Sequence, residues 1–494
     1  MGRRLALAWG VLALLLVGPM AHAHRGHPPG ELETVRKQGQ AALAYLKRLG
    51  VPGDQAALLF YSTRHGFYYL SHRAEVPMPA ASNQKLLTTH AALEVMPADF
   101  RWYTYFSRVA EAPDANGHRP WGLRVVTSGD PTLDTARLLE IGGILWAKGL
   151  TRIDAGIELR KRNQRHGGED GPTPYIVNGN ELRFHLMRGP GASTFSSRAS
   201  MAWAEVDSDV KPSMRDRSFV QVEQDWTASQ PRFSLRGHLP DDTSEFTIKV
   251  DVDDPRAHYH RQLVKALADA GIRGEMRLLD PSRGEKLTGT ETRLFVASSL
   301  SLPETVRRIN KESDNLAAEH LLRAMGRLLG HDSSREAALE VLMAQLETIY
   351  PDSRAHLILD DGSGLSEHNR LTAHYLVRLL NRARFNHRNR ADFISSLSLA
   401  GVDGTLRFRS FPPAMRGNLR AKSGTLFNGV SNLSGYLQLE RDVVVFSILL
   451  HSPGANYVNV QRILDTFLTR YYEMLLGLET QLEAPDGDPA LTVK

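Results

Sequence analysis

Ser82 and Lys85 stand three residues apart at the head of the run Leu86-Leu87-Thr88-Thr89-His90-Ala91-Ala92-Leu93, just after Pro77 and Pro79 interrupt the chain. A mixed apolar run entered at a proline break reads as a helix, and helical residues three apart share a face. The lysine amine is then close enough to take the serine proton, which is what a serine nucleophile working without histidine requires. The same spacing also fits an exposed first turn with a solvated lysine, and such a pair is expected about once by chance in a chain this long. Ser208 and Lys211 form just such a pair, but Pro212 follows them and no apolar helical run does. Context has to separate the two.

Two later segments supply it. Ser313-Asp314-Asn315 sits inside the helical stretch 309–322, and Lys422-Ser423-Gly424-Thr425 follows Leu419-Arg420-Ala421. In chain order the three segments reproduce the acyl-transfer pattern Ser-x-x-Lys, Ser-Asp-Asn and Lys-Thr-Gly, with Ser423 in the place of threonine. Three linked signals are far more specific than one.

Length and charge narrow the setting. A chain of 494 residues with 42% hydrophobic content can build more than one core. Its 60 Lys and Arg against 55 Asp and Glu leave only +5, dispersed along the chain, so no nucleic-acid partner is expected. At the start, Arg3-Arg4, an apolar stretch 5–17 and Ala21-His22-Ala23 read as a cleavable leader 1–23, making the mature product periplasmic or otherwise exported. A retained anchor is the alternative, but the apolar stretch is shorter than the roughly 20 residues of a bilayer span, and no transmembrane anchor is expected. There is no cysteine, hence no disulfide, and no paired-histidine zinc motif. His22, His24 and His27 read as part of a polar start rather than a metal site, so neither metal nor cofactor is expected.

Periodicity organises the rest. A helix over 32–49 and a hairpin over 56–61 and 67–70 precede the Ser82 helix, placing residues 24–107 in a first part of the main domain. Strands at 102–109, 122–127, 182–187 and 246–252, with helical tracts at 131–150 and 254–270, suggest inserted mixed domains over 108–290. Within them 163–171 reads as a polar surface connection before a substrate lid, and Ser128-Gly129-Asp130-Pro131 as a structural turn. The main domain resumes over 291–481: helices over 302–328, 334–346 and 371–381, a glycine-containing loop over 360–366 near a functional edge, an exposed strand over 419–426, strands at 435–439 and 442–449, and a packing helix over 457–475. Residues 482–494 read as a flexible tail.

Around 79–93, 310–322, 361–365, 401–406 and 420–436 the chain resembles the class C, low-molecular-mass penicillin-binding proteins, the D-alanyl-D-alanine carboxypeptidases and endopeptidases of peptidase family S13. The resemblance implies an α/β multidomain fold, in which a penicillin-recognising, β-lactamase-like serine transpeptidase domain is interrupted by a large mixed α/β insertion. It implies that Ser82 is acylated, that Lys85 accepts its proton, and that Ser313 passes a proton to the leaving amine. Asn315 would orient the substrate or the lysine, Lys422 would attract the terminal carboxylate, and Ser423 would keep the hydroxyl of the usual threonine. The amides of Ser82 and Thr425 would form the oxyanion hole. The implied substrates are peptidoglycan stem peptides and cross-links, with β-lactams as covalent inhibitors. Residues 167–180 depart from the family's usual insertion pattern, so no substrate contacts are carried over there. A β-lactamase or relaxed serine esterase is the alternative enzyme, and a noncatalytic envelope binding protein the alternative without chemistry.

Overall fold

The computed structural model describes residues 29–162, 173–189, 191–201, 204–214, 218–227, 230–330 and 332–482. The leader 1–23, the connection 163–171 and all but the first residue of the tail 482–494 lie outside these. The chain divides into two compact units, one comprising Met1–Asn83, Arg370–Phe385 and Ser398–Lys494, the other Gln84–Asn369 and Asn386–Leu397.

The first unit is built on an antiparallel six-stranded sheet. Its order is Ser398–Leu399, Leu419–Leu426, Val430–Gln438, Val443–His451, Ala56–Ser62 and Tyr68–His72, so five long strands carry a two-residue edge. The apolar run Val443–His451 does not alternate with polar residues, because both faces of this sheet are covered. On one face Phe60 stacks on Phe446 at 5.5 Å and meets Tyr471 edge-on at 4.7 Å. Tyr471 belongs to the helix Tyr457–Glu479, which buries Leu464, Phe467, Leu468 and Leu475 in the same core as Val35, Ala42 and Leu46 of the helix Pro29–Arg48. The packing stripe read from the sequence is therefore real, and it runs a turn further than expected.

One expectation is corrected here. The strand Leu419–Leu426 is not exposed: it lies between two neighbours in the sheet, and Lys422 is buried. Its strand partner also begins at Val430 rather than at Gly435, because Ser431, Asn432 and Ser434 are buried polar residues that interrupt the apolar pattern.

The second unit contains the helix Gln84–Val95, whose residues Gln84 to Leu93 are all buried. Such a helix shows no one-sided apolar stripe because every side of it packs. A four-stranded sheet orders Thr290–Ser298, Tyr103–Ala110, Trp121–Thr127 and Ile157–Lys161. The helices Thr135–Ala147 and Pro255–Asp269 share a core with it through Leu138, Ile141, Leu263 and Leu267. Two three-stranded sheets share another core, in which Phe233 packs against Phe184 and Trp226 at 5.3 and 5.6 Å. One of their strands, Glu205–Ser213, carries Ser208 and Lys211. Residues three apart on a strand point to opposite faces, which removes this pair as a catalytic candidate on geometry alone. Asp130 is buried and accepts from the amide and hydroxyl of Thr132 at 2.7 and 2.6 Å, the structural turn expected.

Candidate active site

Ser82 lies in the single 3-10 turn Ala81–Asn83, which runs without a break into the helix Gln84–Val95. The turn is not relaxed: Ala81 has φ 44°, a left-handed conformation unfavourable for a residue with a Cβ. Buried polar groups hold it there. Asn432 Nδ2 donates to the carbonyls of Pro79 and Ala80 at 2.8 and 3.0 Å, and its Oδ1 accepts from Leu450 N at 3.2 Å. Asn83 Nδ2 donates to Ser434 Oγ at 2.9 Å, and that hydroxyl also bonds Ser447 Oγ at 2.9 Å. Each member of this ladder is almost inaccessible to solvent, so losing one leaves a partner unpaired at about 1–3 kcal/mol.

The strand with the Lys-Ser-Gly motif comes up against this turn. A Cβ built on Gly424 would lie 2.9 Å from Ser82 N, 3.0 Å from the Ala81 Cβ and 3.2 Å from Asn83 N. Only glycine lets the backbones approach this closely. Lys422 has no exposed surface and donates from Nζ to Ser423 O at 2.8 Å. Ser423 and Thr425 are half-buried, and Ser423 Oγ shares a 2.7 Å hydrogen bond with Thr405 Oγ1.

In the second unit Lys85 is fully buried, with Nζ donating to Asn315 Oδ1 and to Ser363 O, each at 2.6 Å. Burial pushes its amine from the ordinary lysine value down to about 7, although Asp361, Asp314 and Glu319 pull the other way. Desolvation wins, and the lysine titrates near neutrality. The loop carrying the Ser363 carbonyl is pinned by two carboxylates. Asp361 accepts from the amides of Ser363 at 3.1 Å, Gly364 at 2.5 Å and Ser366 at 2.7 Å, while Glu319 Oε1 accepts from Gly362 and Ser363 at 2.9 and 2.8 Å. Burial and the neighbouring Asp361 hold the Glu319 carboxyl above its usual range. Ser313 is the break between the helices Leu302–Glu312 and Asn315–Leu329, with φ 58°. Asp314 caps the second helix by accepting from Ala317 N at 2.9 Å.

The first unit therefore gathers Ser82 with the strand of Lys422, Ser423 and Thr425. The second gathers Lys85 with Asn315, two residues after Ser313. The continuous segment 81–95 keeps Ser82 and Lys85 three residues apart. Sequence reasoning passed over Glu319, Ser363, Thr405 and Asn432. Glu319 stands four residues after Asn315 on one helix face, a spacing that could have flagged it. Asn432 is an amide inside an apolar strand run, where such a residue is disfavoured without a buried partner.

The D-Ala-D-Ala carboxypeptidase 3 (S13) family matches residues 40–471. A D-alanyl-D-alanine carboxypeptidase of an Actinomadura species is 27% identical over 439 residues, covering 82% of this chain and 79% of that protein. Carboxypeptidase DacB of Mycolicibacterium smegmatis is 29% identical over 398 residues, covering 77% and 73%. The crystal structure of penicillin binding protein 4 (dacB) from Haemophilus influenzae, complexed with a β-lactam, superimposes with a TM-score of 0.67 at 21% identity, over 88% of this chain and 99% of that one. The fold is that of the penicillin-recognising serine enzymes. The chain belongs to the D-Ala-D-Ala carboxypeptidase 3 (S13) family, as its motifs implied, and is a serine-type D-alanyl-D-alanine carboxypeptidase.

Proposed function

We propose that Ser82 is the nucleophile and Lys85 its base in the hydrolysis of peptidoglycan stem peptides ending in D-alanyl-D-alanine, and of D-alanyl cross-links. The observation that carries this reading is the buried Lys85 amine, titrating near 7 and bonded to Asn315. Neutral Lys85 takes the Ser82 hydroxyl proton as Oγ bonds to the scissile carbonyl carbon. The amides of Ser82 and Thr425 receive the oxyanion. As the tetrahedral intermediate collapses the C–N bond breaks, and the leaving amine takes a proton through Ser313. Water then adds to the acyl ester and releases Ser82. Free D-alanine leaves a stem peptide, and the bridging amine leaves a cross-link, so one acyl-enzyme serves carboxypeptidase and endopeptidase turnover alike. β-Lactams acylate the same serine, a reading supported by the β-lactam complex of the Haemophilus influenzae protein. Defined monomeric and cross-linked muropeptides test the scheme: D-alanine release together with cleavage of the cross-link is expected, and antibiotic turnover without peptide hydrolysis would favour a β-lactamase.

Asn315 orients the substrate and the lysine, Ser423 supports the bound peptide through its hydroxyl, and Lys422 draws in the terminal carboxylate. Lys422→Ala is expected to slow acylation by carboxylate-bearing substrates about tenfold to a hundredfold, as loss of a charge-assisted contact would. Uncharged analogues should be affected far less. Because Lys422 is buried, thermal melts accompany the kinetics; equal losses for both analogues in a folded variant would count against carboxylate recognition.

We further read residues 108–290 as an insertion between the parts 24–107 and 291–481 of the penicillin-recognising domain. The pairing of Tyr103–Ala110 with Thr290–Ser298 supports this, since it brings both ends of the interval side by side. We read residues 1–23 as a leader that directs the enzyme to the periplasm or beyond. Among the described residues no helix is long and apolar enough to cross a membrane. N-terminal mapping of the secreted protein is expected to begin at His24, and a retained residue 1 would refute processing. The chemistry proposed uses protein groups alone, so exhaustive chelation should leave hydrolysis intact.

A further inference from the structure

The helix Asn315–Leu329 carries a second group of polar residues beyond Asn315 and Glu319. His320, Arg323 and Arg327 recur on it at three- and four-residue spacing, so they line one side. That side borders a cavity of about 40 Å³ that is also lined by Lys161 and Arg162. Lys161 ends the strand Ile157–Lys161 in register with Thr127, the last residue of its parallel neighbour, and Arg162 follows with its guanidinium 5.3 Å from the Tyr105 ring. Two separate elements thus deliver cations to one small space.

Among the described residues no carboxylate lines the cavity. For Lys161 and Arg327 the charged neighbours that act are cations: burial and then Arg323 hold the Lys161 amine below its usual value, and burial and then Arg162 do the same to Arg327. His320 is 7% exposed, its Nε2 has no hydrogen-bond partner, and its other edge lies against Gly129. Burial, Arg323, Arg327 and Lys161 together push it down to about 3. Its unpaired Nε2 is a buried polar atom of a neutral ring, open to a group that can donate to it. At about 10–15 Å³ per water-sized centre the cavity holds roughly three, the size of one small oxyanion group.

We propose that this cavity is an oxyanion-binding site, taking a phosphate-type or carboxylate group through Lys161, Arg162 and Arg327, with the neutral His320 ring as part of its wall. Guanidinium forks match both geometries, and a lysine adds a point charge. None of these residues is assigned to acyl transfer, so the site stands or falls independently of the Ser82 mechanism.

Titration calorimetry and thermal melts of the full mature chain test it, with inorganic phosphate, acetate and chloride compared at equal ionic strength. Phosphate is expected to raise the melting temperature saturably, and acetate to do so instead if the site is built for carboxylates; either response beyond chloride supports the site and identifies its source. Arg327→Gln and Lys161→Gln should each weaken binding about tenfold. Arg327 keeps solvent-exposed surface even though its guanidinium is crowded by neighbouring atoms, and Lys161 is half-buried, so both variants should fold, and the calorimetry of the unaltered chain does not depend on them. Phosphate and acetate acting no differently from chloride, or binding undiminished in both variants, would overturn the proposal.

Discussion

Ser82→Ala should abolish covalent labelling by penicillin and lower stem-peptide hydrolysis by on the order of 10⁴-fold or more, with the fold intact. The substitution removes one oxygen from a half-buried side chain, while the turn that carries it is held by Asn83 and Asn432 through groups the change does not touch. The Ser82 amide, packed against Gly424, also stays in place, so binding should survive the loss of chemistry. Ser208→Ala should retain full labelling and turnover, because Ser208 and Lys211 lie on opposite faces of a strand. Intact-mass spectrometry with a labelled β-lactam, peptide mapping and a D-alanine assay read all of this directly. Label found on Ser208, or undiminished in the folded Ser82 variant, would demand a different catalytic model.

Lys85→Met keeps most of the side-chain volume and removes the amine, and should slow acylation by about 10²–10⁴-fold, the range of a lost general base. The pH profile distinguishes a base from a packing residue. Only the unprotonated amine accepts the serine proton, so acylation by the unaltered enzyme should rise as pH increases through about 7, and the methionine variant should lose that limb. Stability should follow the same group. Its folded value lies below the ordinary lysine value of 10.5, so the unfolded chain binds more protons between the two. This contribution to stability grows from about pH 7 upward in the unaltered protein and is absent from the variant. A methionine variant with an unchanged pH limb would remove Lys85 from the mechanism.

Elements with a strong apolar period were legible from sequence: the runs read over 442–449 and 457–475 became the central strand Val443–His451 and the core helix Tyr457–Glu479, and Lys85 lies in the helix that its apolar run implied. What escaped has physical reasons. The Ser363 carbonyl that accepts from Lys85 is a backbone atom, which no residue letter encodes. Lys422 was expected on an exposed strand, where a cation ordinarily stays in water, yet it has no exposed surface on a strand inside the sheet. Asn432 and Ser434 broke the apolar pattern of their strand, so its first half went unread; their polarity serves the Ser82 turn and not solvent. Strands such as Phe219–Asp225 are exposed at alternate positions and half-buried at the rest, too little apolar surface to reveal a strand.

The hydrogen bonds of Lys85 reach 230 residues ahead to Asn315 and 278 ahead to Ser363. During synthesis Ser82 and Lys85 therefore emerge long before the groups that bury the lysine exist. Until then its amine is an ordinary hydrated ammonium, protonated at neutral pH and unable to accept a proton. A nascent chain, or a fragment cut anywhere before the 360–366 loop, carries Ser82 and Lys85 three residues apart, and on the proposed mechanism it lacks the neutral amine that would act as base. The distance along the chain thus sets an order: the environment that lowers the Lys85 amine is complete only after about three-quarters of the chain has been made.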